Sequence, residues 1–166
     1  MSDSRFDSEP DTRADLRFDF QSEPPRQAGV ESPPDPRPDP RWQRGIEIRR
    51  EVLGNAHVDR AFAESNDFDR DFQDYVTRAA WGDIWARPGL PLQTRHLLTI
   101  GLLAALNRQD ELAMHVRATL NTGVSRAEIK EVLMQVAVYA GVPAAHAAMK
   151  TAKRALAAED MPGHDE

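Results

Sequence analysis

The chain of 166 residues contains no cysteine. Disulfides, thiolate metal sites, redox-active CxxC pairs and cysteine nucleophiles are therefore excluded. Long apolar runs are also scarce, and the longest, Leu97 to Leu106, is interrupted by Thr99 and too short to span a bilayer. The N-terminus carries acids, arginines and prolines where a signal peptide needs an apolar segment. We therefore expect a soluble, cytoplasmic protein.

An excess of positive charge is also missing. The net charge is −6, and most of it lies in residues 1–40, which hold ten acids against five arginines. Residues 41–166 hold 17 acids against 16 bases. A nearly neutral body offers no broad basic surface, which argues against nucleic acid as the main partner. Recognition of an anion must then depend on a few well-placed arginines.

The first forty residues differ from the rest in composition. They contain eight of the twelve prolines and almost no aliphatic side chains, which predicts an extended, solvated segment. An Arg-Phe-Asp phrase occurs twice, at residues 5–7 and 17–19, and could be a docking peptide. We predict a disordered extension over residues 1–40 and a helical domain over residues 41–160.

Helical spacing of apolar residues begins at Arg41. It predicts a helix that ends at Gly54, a short helix near residues 58–64, and a longer one that starts at Asn66 or Asp67 and carries Phe68, Phe72 and Tyr75. The next helix, around residues 97–106, is the most apolar and is predicted to be buried on most sides. The remaining helices are predicted at about 109–121 with a stop at Gly123, from a capping box at 125–128 through Tyr139, and at 144–158. No strand-like alternation occurs, so the predicted fold class is all-α.

Four phrases carry a family resemblance. They are Leu53-Gly54-Asn55-Ala56-His57-Val58-Asp59-Arg60-Ala61, Thr77-Arg78-Ala79-Ala80-Trp81-Gly82 with Trp85 and residues 87–90, Glu111-Leu112-Ala113-Met114-His115-Val116-Arg117-Ala118, and residues 137–144. In this order they resemble the carboxymuconolactone decarboxylase family over residues 45–156. The resemblance implies a compact multi-helix domain of the alkylhydroperoxidase-D-like type, assembled as a homo-oligomer, plausibly a trimer or hexamer.

The wider superfamily includes peroxidases with a CxxC pair followed four residues later by a histidine. The equivalent positions here are Arg108, Glu111 and His115. Peroxidase chemistry is excluded because no thiol is present to be oxidised. The histidine alone remains in the same helical register.

The activity implied by the resemblance is the decarboxylation of 4-carboxymuconolactone, a small dicarboxylate lactone of protocatechuate catabolism. Loss of CO2 leaves an electron pair that flows through the ring double bond into the lactone carbonyl, and the product is 3-oxoadipate enol-lactone. The substrate supplies its own electron sink, so we expect no cofactor and no metal. The protein must hold two carboxylates, stabilise developing negative charge and deliver a proton to carbon.

Three residues are predicted to be catalytic. His115 and Glu111 lie one helical turn apart, and a carboxylate beside an imidazole is expected to raise its pKa and keep it protonated near neutral pH. Such a pair could act as an acid, although the same spacing also fits an ordinary surface pair. His57 follows Gly54 and could project into a cleft, or serve only to cap or pack the short helix. His96 lies outside the matching phrases and is not selected.

Four residues are predicted to bind the substrate. Arginine suits a carboxylate because its planar fork binds both oxygens, and the selected arginines are Arg78, Arg108 and Arg117. Trp81, four residues before Trp85, could form a less polar wall around the leaving carboxylate. Each arginine could instead form a surface or structural ion pair, and the tryptophans could be plain core.

Alternative functions stay open at this point. His57, Glu111 and His115 could together ligate a metal, but the HExxH spacing of zinc enzymes is absent. The same fold could act on another carboxylated lactone or small acid. A non-enzymatic helical scaffold that binds partners through residues 1–40 is the third possibility. The expected partners are the small lactone and further copies of the chain, with no nucleic acid and no membrane.

Overall fold

The computed structural model describes residues 39–159 of the chain. Within this range all regular structure is helical, so the all-α prediction is confirmed. The extension predicted to be disordered covers residues 1–40, and residues 1–38 of it lie outside the described range. The elements are α1 (Pro40–Leu53), α2 (Asn55–Glu64), α3 (Arg70–Val76), a π-helix (Thr77–Trp85), α4 (Leu92–Ala105), α5 (Gln109–Thr122), α6 (Arg126–Tyr139) and α7 (Val142–Glu159). None of these helices is long and apolar enough to cross a membrane.

Several helix ends lie where the sequence predicts them. Gly54, with φ of 85°, separates α1 from α2, and Gly123, with φ of 72°, ends α5 in the left-handed region that favours glycine. The side chain of Ser125 accepts from the backbone N–H of Glu128, whose carboxylate accepts from the backbone of Ser125. The predicted capping box therefore starts α6.

The helix predicted from Asn66 or Asp67 starts later than expected, at Arg70. Side chains hold the preceding turn instead, because the Asn66 carbonyl accepts from the Phe68 N–H and the Asp69 carboxylate accepts from the Asn66 N–H. Phe68 therefore lies outside the helix and is 97% exposed. Moreover, the predicted single helix changes at Thr77 into nine residues of π-helix.

The prediction that α4 is buried on most sides is wrong for the protomer. One face, with His96, Ile100 and Ala104, is buried against its neighbours. The opposite face leaves Leu98 and Leu102 more than half exposed. The reason is that α4 packs in this chain against α5 and α6 and, less extensively, α7, which cover only part of its circumference.

The core lies among α4, α5, α6 and α7. Its largest fully buried side chains include Ile100, Leu112, Ile129 and Leu133, each of which contributes about 1.5–3 kcal/mol by leaving water. The buried face of α7 is built from alanines, which let the helices approach closely; they are Ala145, Ala148, Ala152 and Ala155. This unit holds α4 and α5 in the register that positions the site.

Helix α1 and the π-helix meet backbone to backbone at two glycines. A Cβ on Gly45 would overlap the carbonyl oxygen of Thr77, and a Cβ on Gly82 would overlap the carbonyl oxygen of Arg41. Because the obstacles are backbone atoms, no side-chain rotation can relieve the overlap. This crossing fixes the π-helix, and with it the tryptophans that it carries.

We predict that Gly82→Ala destabilises the protein by about 3 kcal/mol or more, since overpacking against backbone forces the two helices apart. Urea unfolding of the purified protein measures the change. The matched control is Gly89→Ala, where an added Cβ meets nothing within 4 Å. Equal stability of the two variants would contradict the close crossing.

Candidate active site

Two histidines from adjacent helices form a hydrogen-bonded pair. His96 on α4 and His115 on α5 are both buried. Nδ1 of His115 lies 3.1 Å from Nε2 of His96, and Nδ1 of His96 lies 2.7 Å from Oγ1 of Thr122. The polar groups therefore form a continuous chain through the interior of the bundle, from Thr122 to the His115 ring.

Thr122 and the two rings can be ordered as donors and acceptors in either direction, and we assign the direction in which the Thr122 hydroxyl donates to the carbonyl of Thr119 at 3.4 Å. The hydroxyl then accepts from the Nδ1–H of His96 at 2.7 Å. Nε2 of neutral His96 is then an acceptor and receives the Nδ1 proton of His115. We assign this tautomer on these grounds. In this tautomer the Nε2 of His115 keeps a lone pair, and it forms no hydrogen bond with a residue within 39–159.

The π-helix places a tryptophan ring against both histidines. The ring of Trp85 stacks on His115 at 5.9 Å between centroids and 11° between planes. It meets His96 edge-on at 5.8 Å. Trp81 is buried and stacks on Trp85 at 4.9 Å, so it supports this wall, while its predicted role in substrate binding stays a prediction. π-Helices are frequent at functional sites, and this one aligns rings four residues apart.

Burial sets the protonation state of the histidine pair. Loss of solvation, with smaller contributions from the charges of His96 and His57, lowers the pKa of His115 from 6.5 to about 3. Loss of solvation also lowers the pKa of His96 to about 4, although an interaction with the backbone of His115 acts in the opposite direction. Both imidazoles are therefore neutral at pH 7.

Glu111 does not act on His115 as the helical spacing predicts. The expectation that it raises the pKa of His115 is wrong, because the pKa is lowered. The physical reason is that Glu111 is exposed in the first turn of α5, whereas His115 is buried one turn later and bonds to His96. A catalytic role for Glu111 stays a prediction that no contact within the protomer supports.

His57 lies half-buried in the first turn of α2. Burial lowers its pKa, and the nearby charges of Arg49, Arg60 and Arg117 lower it further. His57 in turn contributes to the lowered pKa of His115. Of the predicted site residues, His57, His115 and Arg117 are therefore near enough to interact electrostatically.

The other two predicted arginines lie in different surroundings. Arg78, in the π-helix, has its Nε 3.9 Å from Oδ2 of Asp39, which Arg41 also approaches. Arg108 is exposed at the N-cap of α5. Neither forms a hydrogen bond or ion pair with His96 or His115, and their predicted roles stay predictions.

Sequence reasoning missed His96 and Arg49. A signal for both was present in the helical spacing, since His96, Ile100 and Ala104 recur every four residues on one buried face. Arg49 likewise shares the buried face of α1 with Gly45 and Val52. A polar residue on an apolar helix face needs partners, and the partners could not be identified from one helix alone.

Comparison with known proteins identifies a family and several relatives. The model of the carboxymuconolactone decarboxylase family matches residues 70–154. The chain is 51% identical over 113 residues to 4-carboxymuconolactone decarboxylase of Acinetobacter baylyi, covering 68% of this chain and 84% of the relative. It is 37% identical over 115 residues to nitrosuccinic acid decarboxylase of Metarhizium robertsii, covering 69% and 80%. A 4-carboxymuconolactone decarboxylase sequence of Pseudomonas putida is 51% identical over 43 residues, which cover 26% and 90%.

The helical fold, the matched family model and these relatives define the class. The chain belongs to the carboxymuconolactone decarboxylase family. The resemblance read from the sequence is therefore confirmed, and so is the prediction that the protein is an enzyme that removes carboxyl groups.

The neutral histidine pair predicts a loss of stability in mild acid. Below pH 6.5 the histidines of the unfolded chain take up protons, whereas His115 and His96 stay neutral until about pH 3 and 4. The free energy of unfolding should therefore fall between pH 6.5 and 5, by up to about 1.4 kcal/mol per pH unit for each histidine. Urea unfolding at several pH values measures this slope.

The controls for this slope are single substitutions. His115→Gln should make it shallower, while His146→Gln, at an exposed position on α7, should leave it nearly unchanged. A stability that does not vary between pH 6.5 and 5 would show that the pair is not neutral in the folded protein.

Proposed function

We propose that this protein removes CO2 from 4-carboxymuconolactone and releases 3-oxoadipate enol-lactone. The 51% identical relative bears that substrate in its name. The single observation that carries the proposal is the buried His115 that bonds through Nδ1 to His96 and stacks on Trp85, with no hydrogen bond at Nε2 to any residue within 39–159. Such a group can take up one proton as an anionic substrate binds and return it to carbon.

The proposed reaction balances with one proton. The substrate is an unsaturated lactone with a carboxylate and a carboxymethyl group on one ring carbon. When the bond to that carboxylate breaks, CO2 leaves and the electron pair moves through the ring double bond to the lactone carbonyl. Protonation of the ring carbon beside this carbonyl restores the lactone and gives the enol-lactone. Because the ring accepts the electron pair, we assign no cofactor to the reaction.

His115 supplies that proton. In the free protein its pKa of about 3 leaves it unprotonated at pH 7. A bound dianion raises this pKa, since an opposite charge in a desolvated site favours the imidazolium. In this proposal the charge of the bound substrate, and not Glu111, raises the pKa of His115. His96 is a positioning residue, because it accepts from Nδ1 of His115 and leaves Nε2 for the substrate.

The leaving carboxylate is placed against the ring of Trp85. An uncharged wall destabilises a localised carboxylate more than the dispersed charge of the transition state, so it favours loss of CO2. The stacking of Trp85 on Trp81 and His115 holds this wall in place. Among the predicted arginines, Arg117 is the one whose charge contributes to the lowered pKa of His57, and we assign it to the carboxylate that is kept.

We further propose that the enzyme is a homo-oligomer of the cytoplasm, with the trimer or hexamer implied by the resemblance. Support for association comes from apolar grooves of about 490 Å³ between α4 and α6 and about 570 Å³ between α6 and α7. Their surroundings expose Leu98, Leu102, Met134, Val138 and Tyr139. Apolar patches of this kind mark contact surfaces more often than they face water.

A second candidate function keeps the fold and changes the substrate. The 37% identical relative is named for nitrosuccinic acid, another small dicarboxylic acid. Assays of CO2 release and of the loss of lactone absorbance distinguish the two. Turnover of nitrosuccinic acid without turnover of 4-carboxymuconolactone would replace the first proposal by the second.

We predict that His115→Gln lowers kcat on 4-carboxymuconolactone by about 10²- to 10⁴-fold, the usual loss when a proton-transfer group is removed. The stability at pH 7 should change little, since a neutral amide can replace a neutral imidazole in the bond to His96. The control is Glu131→Gln, at an exposed position on α6, which should keep turnover within twofold. Wild-type turnover in the His115 variant would contradict the assignment of the proton donor.

A further inference from the structure

Arg49 is a buried cation with no counter-ion among the described residues. Its side chain is 6% exposed, and it donates through Nη1 to Thr77 at 3.2 Å and through Nη2 to Gln73 at 3.1 Å. The guanidinium lies over the ring of Phe62 at 5.5 Å, and its Nε has no hydrogen-bond partner. Every one of these neighbours is uncharged.

Uncharged acceptors satisfy hydrogen bonds but do not neutralise a charge. Placing a cation in a protein interior costs several kcal/mol unless an anion accompanies it. Burial lowers the pKa of Arg49, in accordance with this cost. The next residue, Arg50, shows the ordinary arrangement, because it pairs with Asp59 at 2.6 Å near the surface. The fold thus keeps an uncompensated positive charge at Arg49.

This charge acts on the candidate active site. Arg49 contributes to the lowered pKa of His57, as do Arg60 and Arg117, and His57 contributes to that of His115. Contacts link Arg49 to the same elements, since its guanidinium lies over Phe62 on α2, the helix of His57, and donates to Thr77 on the π-helix that carries Trp85. The site has one positive part and one apolar part.

Two different carboxylates need these two parts. In both 4-carboxymuconolactone and nitrosuccinic acid, which appear in the names of the relatives, one carbon carries a carboxylate and a carboxymethyl group. A cation held tightly against the carboxylate that leaves would stabilise the substrate more than the transition state. The carboxymethyl group is retained, so a tight anchor for it lowers KM at no such cost.

We propose that Arg49, with His57 and Arg117 beside it, forms the subsite that anchors the retained carboxymethyl carboxylate, an inference that rests on the proposed decarboxylation. The guanidinium has five N–H groups, and the described hydrogen bonds need only two of them. The bound carboxylate is the counter-ion that Arg49 lacks in the free protein. Thr77 and Gln73 hold the guanidinium in place for it.

A non-reactive probe tests the subsite by calorimetry. The probe is a saturated five-membered lactone with a carboxymethyl group, which has no carboxylate to lose from the ring and no double bond; its methyl ester is the uncharged control. Wild-type protein should bind the acid at least tenfold more tightly than the ester. Arg49→Gln should abolish this preference, and Arg50→Gln, the matched control on the same helix, should keep it. A preference that survives in Arg49→Gln overturns the proposal.

A second measurement covers the case in which Arg49→Gln fails to fold. Proton NMR of His57 in the wild-type protein follows its titration with and without the probe. The acid should raise the pKa of His57, because a bound carboxylate neutralises the nearby cations, and the ester should not. A carboxylate bound away from these cations predicts no shift with either probe, which would overturn the subsite.

Failure of the subsite and failure of the proposed function are distinguishable. Turnover of 4-carboxymuconolactone by the wild-type protein is measured separately, and its absence removes the proposed decarboxylation. The binding and NMR results then decide the subsite independently, since the probe does not react.

Discussion

The hydrogen bond between two buried imidazoles, His96 and His115, is the interaction on which the site depends. A buried imidazole resists protonation because the surrounding helices cannot solvate its charge, and each ring of the pair therefore stays neutral near pH 7. A neutral ring carries one proton, and the assigned order, in which Thr122 donates to Thr119, places that proton on Nδ1 of each histidine. The outcome is a lone pair on Nε2 of His115 that has no hydrogen-bond partner among residues 39–159.

The helix packing of the rest of the fold positions the groups around this histidine pair. The alanine face of α7 and the core of α4–α7 hold the two histidine-bearing helices together. The glycines of α1 and the π-helix permit a backbone contact that carries Trp85 onto the rings. The same crossing brings Arg49 to Thr77, so one packing arrangement serves both the apolar and the positive part of the site. A change at Gly45 or Gly82 should therefore disturb both parts together.

Local chemistry made much of the fold predictable. Gly54 and Gly123 end helices because their backbone takes positive φ, and the Ser125 capping box starts one, and each acts within a few residues of chain. The family phrases identified His57 and His115 from sequence, and the structure makes them electrostatic neighbours. The π-helix was not predicted, and the α1 crossing that accompanies it joins residues far apart in sequence, such as Gly82 and Arg41.

The site was harder to predict because its electrostatics are tertiary. The helical spacing suggested that Glu111 would keep His115 protonated, but Glu111 faces water and His115 faces the bundle interior. His96 and Arg49 were missed because their meaning depends on partners from other helices. The exposed leucines of α4 were also not predicted. The sequence shows that a helix face is apolar but not whether another part of the same chain covers it.

The central claim is that His115 is neutral until the charge of the substrate protonates it. Nitrogen-15 NMR of the His115 ring at pH 7, in the free protein and with a non-reactive dicarboxylate lactone bound, tests this directly. The account predicts a neutral ring with its proton on Nδ1 in the free protein and an imidazolium in the complex. An imidazolium already present in the free protein, or a ring that stays neutral in the complex, would contradict it.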